Sequence, residues 1–158
     1  MTGSVFSNED YRLVWIDFIP VTLTAIAALV DLRTREIPDW IWVVILALVP
    51  LKAWWLWPDV ALWQIPVGAL AALLISGLVA WGDRFGGGDV KLFAALGAWF
   101  GITAVFPLAL WCAIAGLPLA VVAAARGQTD YAYGPAILIG VAVHWMAPDL
   151  LGRIGGWA

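Results

Sequence analysis

The sequence predicts an all-α membrane protein with about six transmembrane helices in one compact bundle. Of its 158 residues, 64% are hydrophobic and only 12% are charged, which is more apolar surface than a soluble domain of this size can bury. The apolar residues form long runs rich in alanine and glycine, and small residues let membrane helices pack closely. The lipid bilayer is therefore the expected environment, and the net charge of −3 argues against nucleic acid as a partner.

The apolar runs divide the chain into six predicted spans. A run of about 20 apolar residues is enough to cross a bilayer. Ile37-Pro38 closes the first polar connection, since proline suits the first turn of a new helix. The fourth span is shorter than the others, and residues 101–103 are expected to be only a break before the fifth. The predicted spans are 11–30, 40–57, 60–81, 89–100, a stretch within 104–125, and 134 to about 151.

Basic residues predict which way the chain crosses the membrane. Arg33 and Arg35 lie in the first connection, Arg84 in the third and Arg126 in the fifth, whereas the second and fourth connections hold none. Cytoplasmic loops carry an excess of lysine and arginine. The first, third and fifth connections are therefore expected to be cytoplasmic, and both termini are expected to be non-cytoplasmic.

Two aspartates at the ends of predicted spans are the strongest candidates for chemistry. Asp31 ends the first span and Asp89 begins the fourth, so both are expected at the cytoplasmic face. A carboxylate beside a membrane span is costly and is a functional candidate by default. Two close carboxylates share a proton, so one can take a proton from water while the other donates to a peptide carbonyl. The pattern favours an aspartyl protease, and it requires the first and fourth spans to pack side by side.

Three glycines lead directly into Asp89. Glycine adopts backbone angles that are closed to other residues and lets another chain approach closely. Gly86 and Gly88 are therefore expected to shape a loop, predicted at 82–88, that holds Asp89 beside the substrate.

Other polar residues have simpler interpretations. Asp39 can cap the second span, Glu36 lies in the arginine-rich connection, and Asp83 has no glycine run before it, although all three could attract a basic peptide. His144 falls in the last span without recognisable partners for nucleophilic catalysis, and Cys112, the single cysteine, excludes an internal disulfide. No metal-ligand spacing and no phosphate loop appears, so neither a metal nor another cofactor is expected.

Three motifs, in order along the chain, resemble those of the type IV prepilin peptidases, which are membrane aspartyl proteases of the GxGD type. Asp31 followed by Ile37-Pro38 resembles the first catalytic motif of that family. The stretch from Gly86 to Leu92, which includes Asp89 and Lys91, resembles the second motif, and Gly134-Pro135 resembles the element that opens the final helix. Asp39 stands where family members usually have asparagine, and Ala132 stands where a proline is common.

The resemblance implies a reaction and a set of site residues. Asp31 and Asp89 would be catalytic, without metal or organic cofactor, and Ile37, Pro38, Lys91, Gly134 and Pro135 are possible cleft or substrate contacts. The implied partner is a prepilin-type protein with a short basic leader followed by an apolar helix. The implied location is the inner membrane, with several spans and an active site that faces the cytoplasm.

The chain resembles the short, peptidase-only form found in Flp-type (Tad) pilus systems. Bifunctional members of the family carry an N-terminal zinc and methyltransferase region with paired CxxC motifs. The single cysteine of this chain does not fit such a region, so residues 1–158 are expected to form one peptidase domain.

Two other classes of protein remain open on the sequence. A small membrane transporter or channel component would use the aspartates as ion or proton ligands, and it would place them nearer the middle of the membrane. A non-catalytic pilus-assembly scaffold would tolerate the loss of both aspartates.

Overall fold

The computed structural model describes residues 15–55, 62–80, 86–127, 132–147 and 150, and every regular element within these ranges is an α-helix. The all-α prediction is thus confirmed for the described part of the chain. Its helices, numbered in chain order, are α1 (Phe18–Thr34), α2 (Asp39–Trp55), α3 (Gln64–Ala80), α4 (Gly87–Phe100), α5 (Ile102–Ala125) and α6 (Gly134–Met146).

The described helices differ in whether their length and apolar composition suit them to cross a membrane. α5 has 24 residues and is long and apolar enough to do so, whereas α3 and α6 are apolar but shorter. The described helices correspond to the predicted spans. The predicted ends at residues 100 and 125 and the predicted start at residue 134 coincide with helix ends, and the other predicted ends are shifted by a few residues or lie outside the described ranges. The six-span topology stays a prediction.

α4 lies at the centre of the bundle and packs against α2, α3 and α5. Its sequence is apolar around most of its circumference, which is the pattern expected of a helix buried on several sides. α6 packs on the other side of the bundle, against α1 and α5. The most deeply buried side chains of α4 are Leu92, Ala95, Leu96, Ala98 and Trp99.

Glycine allows α3 and α4 to approach closely, as the small residues of these spans predicted. A Cβ atom added at Gly97 would overlap the backbone oxygen of Gly68, and a Cβ at Gly68 would overlap the backbone oxygen of Gly97. Gly101 alone separates α4 from α5, with a φ of 80° that favours glycine. The expected break between the fourth and fifth predicted spans is therefore confirmed, and it consists of one residue.

Two of the shifted helix ends lie beside the predicted catalytic aspartates. α1 continues past the apolar run to Thr34, so Asp31 lies in its last turn rather than in a loop. α1 ends where Arg35 adopts a left-handed conformation, and the Arg35 N–H donates to the Asp31 carbonyl oxygen at 2.8 Å. α4 begins at Gly87, two residues before the predicted start. The change from apolar to polar residues marks where hydrocarbon ends, whereas the backbone hydrogen bonds of a helix continue beyond it.

Candidate active site

An open cavity of about 530 Å³ lies at the end of the bundle where α1 ends and where α2 and α4 begin. Asp31 and Asp89 both line it, although they are 58 positions apart in the sequence. The connection between α1 and α2 contributes Ile37 and Pro38 to the wall, and the start of α4 contributes Gly86 and Gly88. The cavity thus brings together both predicted catalytic residues and four of the predicted loop or cleft residues.

Asp31 is held by the first residue of α6. Its side chain is 4% exposed, and its Oδ2 atom accepts a hydrogen bond of 2.7 Å from the Gly134 N–H. The approach is so close that a Cβ atom at Gly134 would lie 2.9 Å from Asp31 Oδ2. Because helix N-termini carry partial positive charge, α6 favours a negative charge at this position. Gly134 therefore positions Asp31, and Pro135 occupies the first turn of α6, where its missing N–H costs nothing.

Asp89 lies in the first turn of α4 and is 7% exposed. Its Oδ2 atom accepts a hydrogen bond of 3.1 Å from the Gly86 N–H, as an acidic residue at the third helical position often does. Its Oδ1 atom is buried without a hydrogen-bond partner among the described residues. A buried polar atom that lacks a partner is costly and is unusual outside functional sites. Asp89 also lies close enough to Asp31 for the charge of one carboxylate to act on the other.

The glycines serve close packing rather than unusual backbone angles. Within the described ranges, positive φ among glycines occurs at Gly101 and Gly127, so of the two uses expected for Gly86 and Gly88 the unusual backbone angle does not apply. A Cβ atom at Gly88 would lie 3.0 Å from Ile37 Cβ and 3.2 Å from the Ile37 carbonyl oxygen. A Cβ at Gly87 meets no described atom within 4 Å. Gly88 is therefore the position at which α4 packs against the α1–α2 connection.

The two helices that carry the aspartates do not pack side by side, contrary to the expectation. Among the described residues, α1 and α4 have little direct backbone packing against each other. α1 packs mainly on α6, and α4 packs mainly on α3 and α2. Asp31 and Asp89 both line the cavity, although the helices that carry them pack mainly against other helices.

A charged group lies at the rim of the cavity. Lys91 Nζ is 2.9 Å from Asp39 Oδ1, and the Trp42 indole N–H donates to the same oxygen at 2.8 Å. Asp39 precedes the apolar run that begins at Trp40, and the hydrogen bonds from Trp42 and Lys91 hold its pKa below its usual value. Lys91, a predicted cleft contact, is therefore ion-paired at the rim, where it is about half exposed.

The remaining polar residues singled out in the sequence divide into those at the cavity and those away from it. Glu36 lines the cavity with Asp39, whereas Asp83 lies outside the described residues. Cys112 is buried between α5 and α6, and the His144 ring packs edge-on against Phe100 near the far end of the bundle. Within the described ranges, no group of three or more His, Cys, Asp or Glu side chains is arranged to hold a metal ion.

Comparison with known proteins agrees with the motifs at this site. The profile of the type IV leader peptidase family matches residues 18–121, which include both aspartates and the residues between them. The chain therefore belongs to the type IV leader peptidase family. No solved structure matches the chain with comparable significance.

Curated relatives carry names consistent with this family. A prepilin leader peptidase/N-methyltransferase of Dickeya chrysanthemi is 33% identical over 151 residues, which are 83% of this chain and 48% of that protein. A type 4 prepilin-like proteins leader peptide-processing enzyme of Escherichia coli is 31% identical over 121 residues, or 72% of this chain and 45% of that protein. A prepilin leader peptidase/N-methyltransferase of Neisseria gonorrhoeae is 38% identical over 72 residues, or 46% of this chain and 25% of that protein. The chain thus covers between a quarter and about half of the length of these relatives.

Proposed function

We propose that this chain is an aspartic endopeptidase that removes the leader peptide from prepilin-like proteins. The observation that carries the proposal is the pair of buried carboxylates, Asp31 and Asp89, in one open cavity. Each has an oxygen held by a backbone N–H, from Gly134 and Gly86 respectively. Asp89 Oδ1 has no partner among the described residues, and in the proposed mechanism it binds the water molecule or the substrate.

The chemistry follows from the pairing. Two carboxylates that share a site hold one proton between them over a range of pH, and they titrate as a unit. The ionised carboxylate removes a proton from a water molecule, which then attacks the scissile carbonyl carbon. The protonated carboxylate donates to the carbonyl oxygen, and collapse of the tetrahedral intermediate transfers a proton to the leaving amine. The backbone hydrogen bonds from Gly134 and Gly86 keep both carboxylates oriented through these steps.

The substrate class is inferred from the relatives and from the charge of the cavity. The names of the relatives refer to prepilin and prepilin-like leader peptides. Four acidic residues and one arginine line the cavity, and this balance favours a basic leader over an acidic one. Ile37 and Pro38 provide an apolar wall beside the dyad, where the first residues of the apolar pilin helix can lie.

Cleavage of a synthetic prepilin by the purified protein tests this function. The substrate is a peptide with a lysine-containing leader, an apolar segment and, between them, a glycine, after which the resemblance to the type IV prepilin peptidases implies cleavage. We expect one cut after the glycine, identified by mass spectrometry, and no loss of rate with a metal chelator. The double variant Asp31→Asn with Asp89→Asn, purified in the same way, controls for contaminating proteases. Equal cleavage by this variant, or no cleavage by the unmodified protein, contradicts the proposal.

We further propose that six helices cross the inner membrane with the dyad at the cytoplasmic face. The excess of arginine in the first, third and fifth connections supports this orientation. With Cys112 replaced by alanine, Thr34→Cys and Gly87→Cys should react with an impermeant thiol reagent only from the cytoplasm. Leu62→Cys, near the start of α3, should react only from the outside. Labelling of positions 34 and 87 from the outside would refute the orientation.

The transporter and scaffold alternatives are less favoured. A transporter would place its carboxylates near the middle of the membrane, whereas Asp31 lies in the last turn of α1 and Asp89 in the first turn of α4. A scaffold has no use for a buried carboxylate oxygen without a partner, because such an atom is costly.

A further inference from the structure

A second polar cluster lies at the opposite end of the bundle from the cavity. Asp17 immediately precedes α1, Lys52 lies in the last turn of α2, and Trp99 lies near the end of α4. Lys52 Nζ is 2.7 Å from Asp17 Oδ1, and the Trp99 indole N–H donates to the same oxygen at 2.7 Å. Lys52 also donates to the Trp99 carbonyl oxygen at 3.2 Å. One carboxylate oxygen thus joins three helices.

This cluster is largely buried and is not used by the proposed chemistry. Lys52 is 2% exposed and Trp99 is 1% exposed, whereas the Asp17 side chain is 21% exposed. Burial of a charged group is expensive, and a buried ion pair adds little stability compared with well-packed apolar residues. Buried polar groups are instead known to fix one register of packing between helices. Because burying these polar groups costs free energy, the cluster is better explained by a role in fixing how the helices pack than by a role in stability.

The helices joined by this second polar cluster are those that build the active site. α1 carries Asp31, α2 begins at the cavity rim, and α4 carries Asp89. α6, whose first residue holds Asp31, ends beside the cluster, since His144 packs on Phe100 and Lys52 Nζ lies 5.4 Å from the centre of the Phe100 ring. The same four helices therefore meet at both ends of the bundle.

The contacts of the second polar cluster matter most for α1 and α4, because these two helices have little direct packing against each other in the described part of the chain. Asp17 and Asp31 are separated by about 21 Å along α1, and Trp99 and Asp89 by about 15 Å along α4. A sliding movement of one helix against the other would displace one carboxylate relative to the other by the same amount. The hydrogen bond from Trp99 to Asp17 is the described contact that directly opposes such sliding at the far end.

We propose that Asp17, Lys52 and Trp99 are positioning residues that set the register of α1 against α4 and thereby the geometry of the Asp31–Asp89 dyad. The inference rests on the proposed peptidase function. The cluster lies at the opposite end of the bundle from the cavity, so we expect it to act on the rate of the chemical step rather than on binding at the cavity. A displacement of about 1 Å at a reacting centre can lower a rate by about 100-fold.

Trp99→Phe removes the indole N–H while keeping an aromatic ring. We expect kcat for prepilin cleavage to fall by about 10- to 100-fold, with KM within about twofold of the unmodified protein. Trp54→Phe is the matched control, because Trp54 lies at the same end of the bundle and is 90% exposed. Its kcat should be unchanged. An unchanged kcat for Trp99→Phe would overturn the proposal.

Removing the charges of Asp17 and Lys52, singly and together, tests whether the double variant recovers the kcat that each single variant loses. Asp17→Asn leaves the Lys52 ammonium without its counter-ion, and Lys52→Met leaves the Asp17 carboxylate without its cation, so each should lower kcat. The double variant contains neither charge, and Asp17→Asn keeps an oxygen that accepts from the Trp99 indole. Its kcat should return to within about threefold of the unmodified protein. A double variant no faster than the slower single variant would contradict the assigned role.

A distance measurement tests the proposal independently of cleavage. Spin labels at Thr34→Cys on α1 and Gly87→Cys on α4, with Cys112 replaced by alanine, report the separation of the two helix ends at the cavity. Both positions are exposed, and Gly87 has room for a side chain. Trp99→Phe should shift or broaden the distance distribution, whereas Trp54→Phe should not. An unchanged distribution would refute the positioning role even if the protein proved not to be a peptidase, and failure of the unmodified protein to cleave would refute only the proposed function.

Discussion

Asp31→Asn and Asp89→Asn should each lower the rate of leader removal by at least about 1,000-fold. Asparagine keeps the size and polarity of aspartate, so it can still accept from Gly134 or Gly86 through its side-chain oxygen. It cannot take a proton from water or donate one from a carboxylic acid. Each variant should therefore insert and fold normally while losing the reaction.

The double variant should be no slower than either single variant, because groups that act as one unit have non-additive effects. Asp39→Asn and Glu36→Gln are the controls, since both residues line the same cavity without belonging to the dyad, and both should keep most of the activity. The assay follows the size shift of a co-expressed prepilin at matched enzyme levels. Full processing by either dyad variant would exclude the aspartyl-protease mechanism.

Gly88→Val should lower cleavage by about 100-fold, because the start of α4 packs against the α1–α2 connection at this residue. Even a Cβ atom would lie 3.0 Å from Ile37 Cβ, and the two additional methyl groups of valine increase the overlap. The first turn of α4 must then shift, and Asp89 lies in that turn. The loss should appear mainly in kcat, measured with the synthetic prepilin.

Gly87→Val is the matched control for Gly88→Val. It places the same side chain one residue earlier in the same helical turn, where an added Cβ meets no described atom within 4 Å. It should keep at least about a third of the rate, since it introduces strain only through the β-branched side chain. Equal losses in the two variants would show that this turn needs glycine for its backbone and not for its contact with Ile37.

The sequence was sufficient to predict the helices, both aspartates of the cavity and four of the other residues that line it. Long apolar runs specify membrane-type helices regardless of their partners, and the family motifs fall at helix ends that the structure brings to one place. Helix ends were less predictable, because hydropathy reports the contact with lipid and not the hydrogen bonds of the backbone. Asp31 shows this difference, since it ends an apolar run but lies within α1.

Contacts between distant residues could not be predicted from composition or spacing. The motif containing Gly134 was recognised, but nothing local indicates that its N–H reaches Asp31, 103 positions away. Lys52 is a charge inside an apolar run of the sequence, and nothing near it in the sequence indicates its partners Asp17 and Trp99, which lie 35 and 47 positions away. The sequence leaves two uses open for Gly88, and only the structure distinguishes an unusual φ angle from close packing.

The shortness of α4 has a consequence for the depth of the site. α4 contains 14 residues and is about 21 Å long, whereas the neighbouring α5 contains 24 residues and is about 36 Å long. The hydrocarbon core of a typical bilayer is about 30 Å thick, so in a chain that spans it as proposed α4 is too short to reach from one surface to the other. Because α4 is surrounded by other helices, we expect its first turn to lie below the headgroups at the bottom of the open cavity. Water for the reaction would then reach Asp89 through the cavity and not through the surrounding lipid.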